Sequence, residues 1–146
     1  MGSYLNPGGG LFRACRRSKI YVDKSNLITK TNEVLGTEQR FVCVSRPRRF
    51  GKSMAANMLA AYYGRDENAE NLFVDLKISA DPDFRTHLNQ YDVIRINVQE
   101  FLSASESMDE MLSMLQKRLL HELKSQYPDY IDGDYLVFAM KDVFSH

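Results

Sequence analysis

Apolar and polar positions change their period along the chain, and each change marks an element. Phe41, Val42, Cys43 and Val44 form a short unbroken apolar run, the pattern of a strand buried on both faces. Residues 54–63 are almost wholly apolar and rich in strong helix formers, which predicts a helix buried on most sides. Val93, Ile94, Ile96 and Val98, with Arg95 and Asn97 between them, predict a second strand over residues 91–98. Met108, Met111, Leu112, Leu115, Leu119 and Leu123 recur at three and four, so Ser103 or Ser105 starts the longest helix and Gln126 is near its end. Pro128 and Gly133 interrupt, and residues 135–144 predict a last helix.

The first forty residues carry weaker signals. Gly8, Gly9 and Gly10 after Pro7 predict a mobile loop, so residues 1–10 are expected to be flexible. Residues 11–19 form a short basic helix candidate with Arg13, Arg16, Arg17 and Lys19, either a solvated face or a phosphate contact. After an extended piece at residues 20–22, Asp23 or Ser25 caps a helix holding Leu27 and Ile28, with Gly36 as its stop. Asp81 and Pro82 open a further short helix with Phe84 and Leu88 on one face.

Between the first strand and the buried helix lies a loop carrying Arg46, Arg48 and Arg49, then Gly51, Lys52 and Ser53. Strand, loop, Gly-Lys-Ser and helix make up the layout of a phosphate-binding P-loop. A helix N-terminus presents unpaired amides and a partial positive charge, which attract phosphate. Gly51 permits close backbone approach, Lys52 supplies a point charge, and the Ser53 hydroxyl suits Mg²⁺. Like charges about 7 Å apart at an effective dielectric near 20 cost roughly 2 kcal/mol per pair before screening, which a bound anion relieves. The generic pattern has a glycine where Arg46 stands, and Pro47 constrains the next backbone position instead. The competing reading is a basic surface loop ahead of a helix.

Ile20, Tyr21, Val22, Asp23, Lys24 and Ser25, followed by the run from Ser45 through Arg46, Pro47, Arg48, Arg49 and Phe50 to Ser53, resemble the bacterial AAA-ATPase-like family. That family is marked by a tyrosine-valine-aspartate-lysine box and an arginine-proline-arginine-arginine-phenylalanine P-loop that also lacks the first glycine. The resemblance covers most of the chain. It implies an ATP-binding α/β domain that, in full-length members, often precedes a restriction-nuclease-like domain. It implies ATP and Mg²⁺ as cofactors, with Arg46, Pro47, Arg48, Arg49, Phe50, Gly51, Lys52, Ser53 and Met54 around the phosphates and Ser53 on the metal. Tyr21 and Val22 would wall the adenine, with Asp23 and Lys24 at its polar edge.

The expected fold class is therefore α/β, a P-loop NTPase-like three-layer arrangement, truncated, with two clear strands, several helices and no Walker B strand. Residues 1–146 are expected to be the N-terminal part of one such domain. In that class the two strands are not neighbours, so open strand edges and self-association are expected. The alternative is a shorter fold in which the two strands pair.

A catalytic acid is not evident. Leu72, Phe73, Val74 and Asp75 make a poor Walker B strand, and Glu100 follows a strand that carries Arg95. P-loop hydrolysis needs an acid behind the magnesium and a group that orients water. The expectation is thus ATP binding as part of an ATPase domain, with no catalytic residue assigned. The alternative is a non-catalytic binding module whose arginine loop holds nucleic-acid or partner phosphates.

Composition bounds these readings. Nineteen basic and nineteen acidic residues balance, so no bulk attraction to nucleic acid or anionic membrane is implied; nucleic acid would be reached through a nuclease-like domain. Cys15 and Cys43 read as reduced thiols of a cytoplasmic protein, with Cys43 inside the first strand. His87, His121 and His146 show no ligand spacing, no apolar run is long enough to span a membrane, and no signal-peptide core is present.

Overall fold

In the computed structural model, which describes residues 2–45, 51–65 and 67–144, the described chain is built from helices. In order these are α1 (Gly10–Arg16), α2 (Asn26–Val34), α3 (Lys52–Tyr63), α4 (Phe84–His87), α5 (Val98–Ser103), α6 (Met108–Gln126) and α7 (Leu136–Phe144). Two short 3₁₀ turns, Glu70–Leu72 and Lys77–Ala80, precede α4. The chain divides into two compact units, Asn6–Val93 and, separately, Gly2–Leu5 with the chain from Ile94 onward.

The first unit is organised around aromatic rings on α1, α3 and the segment behind them. Phe73 is fully buried, stacks on Phe12 at 5.0 Å between centroids, and receives the edge of Tyr62 at 5.6 Å. Aromatic pairs in these geometries add about 0.5–1.5 kcal/mol beyond the area they bury. Polar groups tie the same helices. The Tyr62 hydroxyl donates to the Phe84 carbonyl (2.7 Å) and accepts from Asn32 Nδ2 (3.2 Å). Tyr63 donates to Asn32 Oδ1 and lies 2.6 Å from Thr31 Oγ1. Burial pushes the Tyr63 phenol up to about 12, so it stays a protonated donor across the physiological range. Asn89, at φ +55°, ends α3: its Nδ2 donates to the carbonyls of Ala61 (3.0 Å) and Gly64 (2.6 Å), while its Oδ1 accepts from the Ala69 amide (2.9 Å). Asparagine tolerates that left-handed backbone better than most residues do.

In the second unit Leu5, Leu119 and Leu123 are buried, with Ile94 and Ile96 packed against them. The Ser107 hydroxyl caps α6 by accepting the Glu110 amide, and the Glu110 carboxylate accepts the Glu106 amide (2.8 Å), close to a capping box. Further along α6 the Glu122 carboxylate accepts the successive amides of Ser3, Tyr4 (2.9 Å) and Leu5 (3.3 Å). The N-terminal segment expected to be flexible thus contributes two of the best-buried side chains, Leu5 here and Asn6 in the first unit.

The α/β three-layer expectation does not hold. The described residues form no sheet, and their only strand-like pairings are two isolated bridges, Leu5 with Ile94 and Gly64 with Tyr91. Residues 41–44 have no regular secondary structure and are not a strand: Phe41 is 82% and Val42 50% exposed, and Cys43 is exposed rather than inside a strand. The second expected strand also fails, because Val98 already opens α5 and Ile94 and Ile96 serve as packing groups. The physical reason is that a strand's amides and carbonyls are satisfied only by a neighbour. Among the described residues, 41–44 make no bridge, and the 91–98 run finds only isolated partners, Leu5 at Ile94 and Gly64 at Tyr91, rather than each other, so the pairing alternative is not realised either.

Candidate functional site

A cavity of about 360 Å³ opens in the first unit, lined by Lys24, Asn26, Leu27, Lys30, Val44, Gly51, Lys52 and Ala55. It lies where the beginning of α2 meets the N-terminus of α3. Gly51 is the N-cap of α3 at φ +86°, ψ 23°, and among the described residues no side chain caps this helix. The first helical bond runs from the Ala55 amide to the Gly51 carbonyl at 2.9 Å, so the amides before it point out of the helix end. A side chain at position 51 would be strained by the left-handed backbone, and its Cβ would stand 2.6 Å from Lys24 Nζ. Glycine therefore fits both the turn and the lysine laid across it.

Three lysines line this cavity, and no Asp or Glu is among its described lining residues. Lys24 and Lys52 are exposed at their side chains, and Ser53 is exposed in the first turn of α3. A donor set of ammonium groups with a hydroxyl at a helix N-terminus suits a polyanion.

The neighbouring segment explains how Lys24 arrives there. Asp23 Oδ1 accepts the Ser25 amide (2.8 Å) and Oδ2 accepts the Lys77 amide (2.8 Å). Ser25 is fully buried, and its hydroxyl accepts the Ile78 amide at 3.1 Å. Both side chains thus bolt the start of α2 onto the 3₁₀ turn Lys77–Ala80. Burial works to raise the Asp23 pKa, but hydrogen bonds from Ser25 and the Lys77 amide, with the Lys77 charge, hold it below the ordinary value. A depressed carboxyl stabilises the fold above its unfolded-state pKa of 3.8, and that contribution is lost as pH falls through the lower folded value. Asp23→Ala should cost about 1–2 kcal/mol at neutral pH, as loss of a comparable cap does. Denaturant melts of the variant and the wild type should converge in strongly acidic buffer; an unchanged difference there would show that the carboxylate charge is not the cause.

A model of the AAA-ATPase-like family, described as predicted AAA-ATPase, matches residues 12–145. The chain belongs to this AAA-ATPase-like family. No curated protein and no solved structure matches it. The family description is of ATPases, so an ATPase-like, nucleotide-binding character is what membership carries.

The structure of this AAA-ATPase-like chain brings together several residues singled out from sequence. Gly51 and Lys52 line the cavity, and Met54 packs with Phe12, Tyr21, Val22 and Met58 around a narrow gap beside it. Tyr21 is half-buried, edge-on to Phe12, with the Arg16 guanidinium 4.8 Å from its ring centroid. Burial raises its phenol pKa, and Arg16 opposes the rise. Val22 is 61% exposed and lines the same gap. Arg46, Pro47, Arg48, Arg49 and Phe50 lie outside the described residues.

Other expectations resolve into structure-bearing contacts. Arg13 pairs with Glu67 and Arg16 with Asp75, so two cations of the basic α1 are engaged within the unit. Asp75 sits in a turn rather than at a strand end, and Glu100 is exposed in the first turn of α5. Among the described residues no group of three or more His, Cys, Asp or Glu side chains is placed to hold a metal ion, and no helix is long and apolar enough to cross a membrane. Sequence reasoning missed Lys30, Asn26 and Leu27 as cavity residues, since on α2 they read only as an ordinary amphipathic pattern.

Proposed function

We propose that this chain binds ATP together with Mg²⁺ through the cavity at the N-terminus of α3. The observation that supports this most directly is the convergence of Lys24, Lys30 and Lys52 on one cavity beside Gly51, in a member of an ATPase family. Lys52 faces the outer phosphates, the first-turn amides of α3 cradle them, and the arginines of the preceding loop assist. Ser53, exposed in that first turn, offers a hydroxyl that fits one position on magnesium. The described lining holds no carboxylate, so phosphate oxygens and water would supply the remaining ligands, as is common for this ion. Tyr21 and Val22, next to Met54 at the same helix end, form the apolar wall on which the base rests. Residues 1–146 act as part of one ATPase domain, and no residue is assigned to the hydrolytic step.

Calorimetric titration of the purified chain tests this reading. Mg-ATP should bind saturably at one site per chain, and chelating the magnesium with EDTA should weaken binding. A chain that ignores ATP but binds a single-stranded oligonucleotide, with affinity falling steeply as salt rises, would instead be a phosphate-backbone binder.

A further inference from the structure

We infer that Lys24 is a second phosphate-binding cation of the site, acting opposite Lys52 across Gly51, rather than a group at the edge of the base. This rests on the nucleotide reading above and deepens it.

The inference comes from what its two neighbours do. Asp23 and Ser25 both turn onto the 3₁₀ segment Lys77–Ala80, where their oxygens accept the amides of Lys77 and Ile78. Asp23 also accepts the Ser25 amide, closing a tight turn around residue 24. The backbone at Lys24 is therefore clamped on both sides, and its side chain leaves from between the clamps. It ends with Nζ over the Gly51 backbone, 2.6 Å from where a Cβ would stand. That position is the mouth of the α3 N-terminus, where a phosphate meets the helix amides. Lys24 lines the larger cavity with Lys52 and also borders the gap between Tyr21 and Met54, so it stands between the phosphate end and the apolar wall. An ammonium carried on a backbone anchored in this way is placed for an anion at Gly51.

Two probes separate phosphate from base: Mg-ATP and Mg-tripolyphosphate, each titrated into wild type, Lys24→Met, Lys24→Arg and Lys52→Ala. Lys24→Met keeps the aliphatic stem and should weaken both probes by a similar factor, about 10- to 100-fold, the usual range for loss of a charge-assisted hydrogen bond. Lys24→Arg should retain most of the affinity. The Lys24 side chain is exposed, so all variants should melt with the wild type; Lys24→Gln serves as a second neutral variant if the methionine protein does not. Loss of Mg-ATP binding with tripolyphosphate binding intact would place Lys24 at the base and overturn the inference. Wild-type affinity in both neutral variants, with Lys52→Ala still defective, would also overturn it while leaving the P-loop reading standing. A wild-type chain that binds neither probe would remove both.

Discussion

Replacing Lys52 with alanine is expected to lower Mg-ATP affinity by about 10- to 150-fold while the protein keeps its thermal melting profile, because loss of a charge-assisted hydrogen bond to phosphate is worth about 1.5–3 kcal/mol. The side chain is exposed at the start of α3 and lines the cavity, so nothing in the core depends on it. The helix itself is held from its other end, through Tyr62, Tyr63 and the Asn89 cap. Calorimetry and a circular-dichroism melt on the same preparation check both halves. Retained affinity in a folded variant would disconnect this cavity from nucleotide binding.

Phe73→Ala is expected to have the largest effect on stability, about 3–5 kcal/mol, the range for truncating a buried phenylalanine. Phe73 is fully buried, its ring lies against Phe12 and Tyr62, and Ala69, Leu76 and Ile78 belong to the same cluster. The gap could not close easily, since Tyr62 is fixed by its bond to the Phe84 carbonyl and Phe12 is carried on α1, which packs on α3. Denaturant unfolding followed by tyrosine fluorescence measures the loss. A second variant separates two readings of this segment. At the end of a Walker B strand Phe73 would support an acid; as the centre of the first unit's core it supports the fold, and Asp75→Asn should be nearly silent because that carboxylate is exposed and engaged with Arg16.

Cys43 illustrates why part of the sequence reading failed. Its neighbours form the most strand-like run in the chain, yet the thiol is exposed and the run pairs with nothing described. The alternation of residues 93–98 has the period of a strand, but Ile94 and Ile96 pack against Leu5, Leu119 and Leu123 without a ladder. At the site, Gly51 and Lys52 were legible because a Gly-Lys-Ser helix start has a local physical meaning. The use of Asp23 was not, since the Lys77 amide it binds lies 54 residues away and nothing in the box announces that partner.

The sequence by itself determined the long helix α6, though its cap is Ser107 rather than Ser103 or Ser105, the last helix α7, the helix α3 behind Gly-Lys-Ser, buried only toward its C-terminal half, and the family to which the chain belongs. Each helix satisfies its own hydrogen bonds within a few residues, so its period and caps are written locally. Only the tertiary structure decided whether the apolar runs became strands, that Lys24 ends against Gly51, and that Lys30 joins Lys24 and Lys52 at one cavity. A strand must borrow its partners, and a clustered site must collect its charges, from distant parts of the chain; neither is encoded in any single stretch.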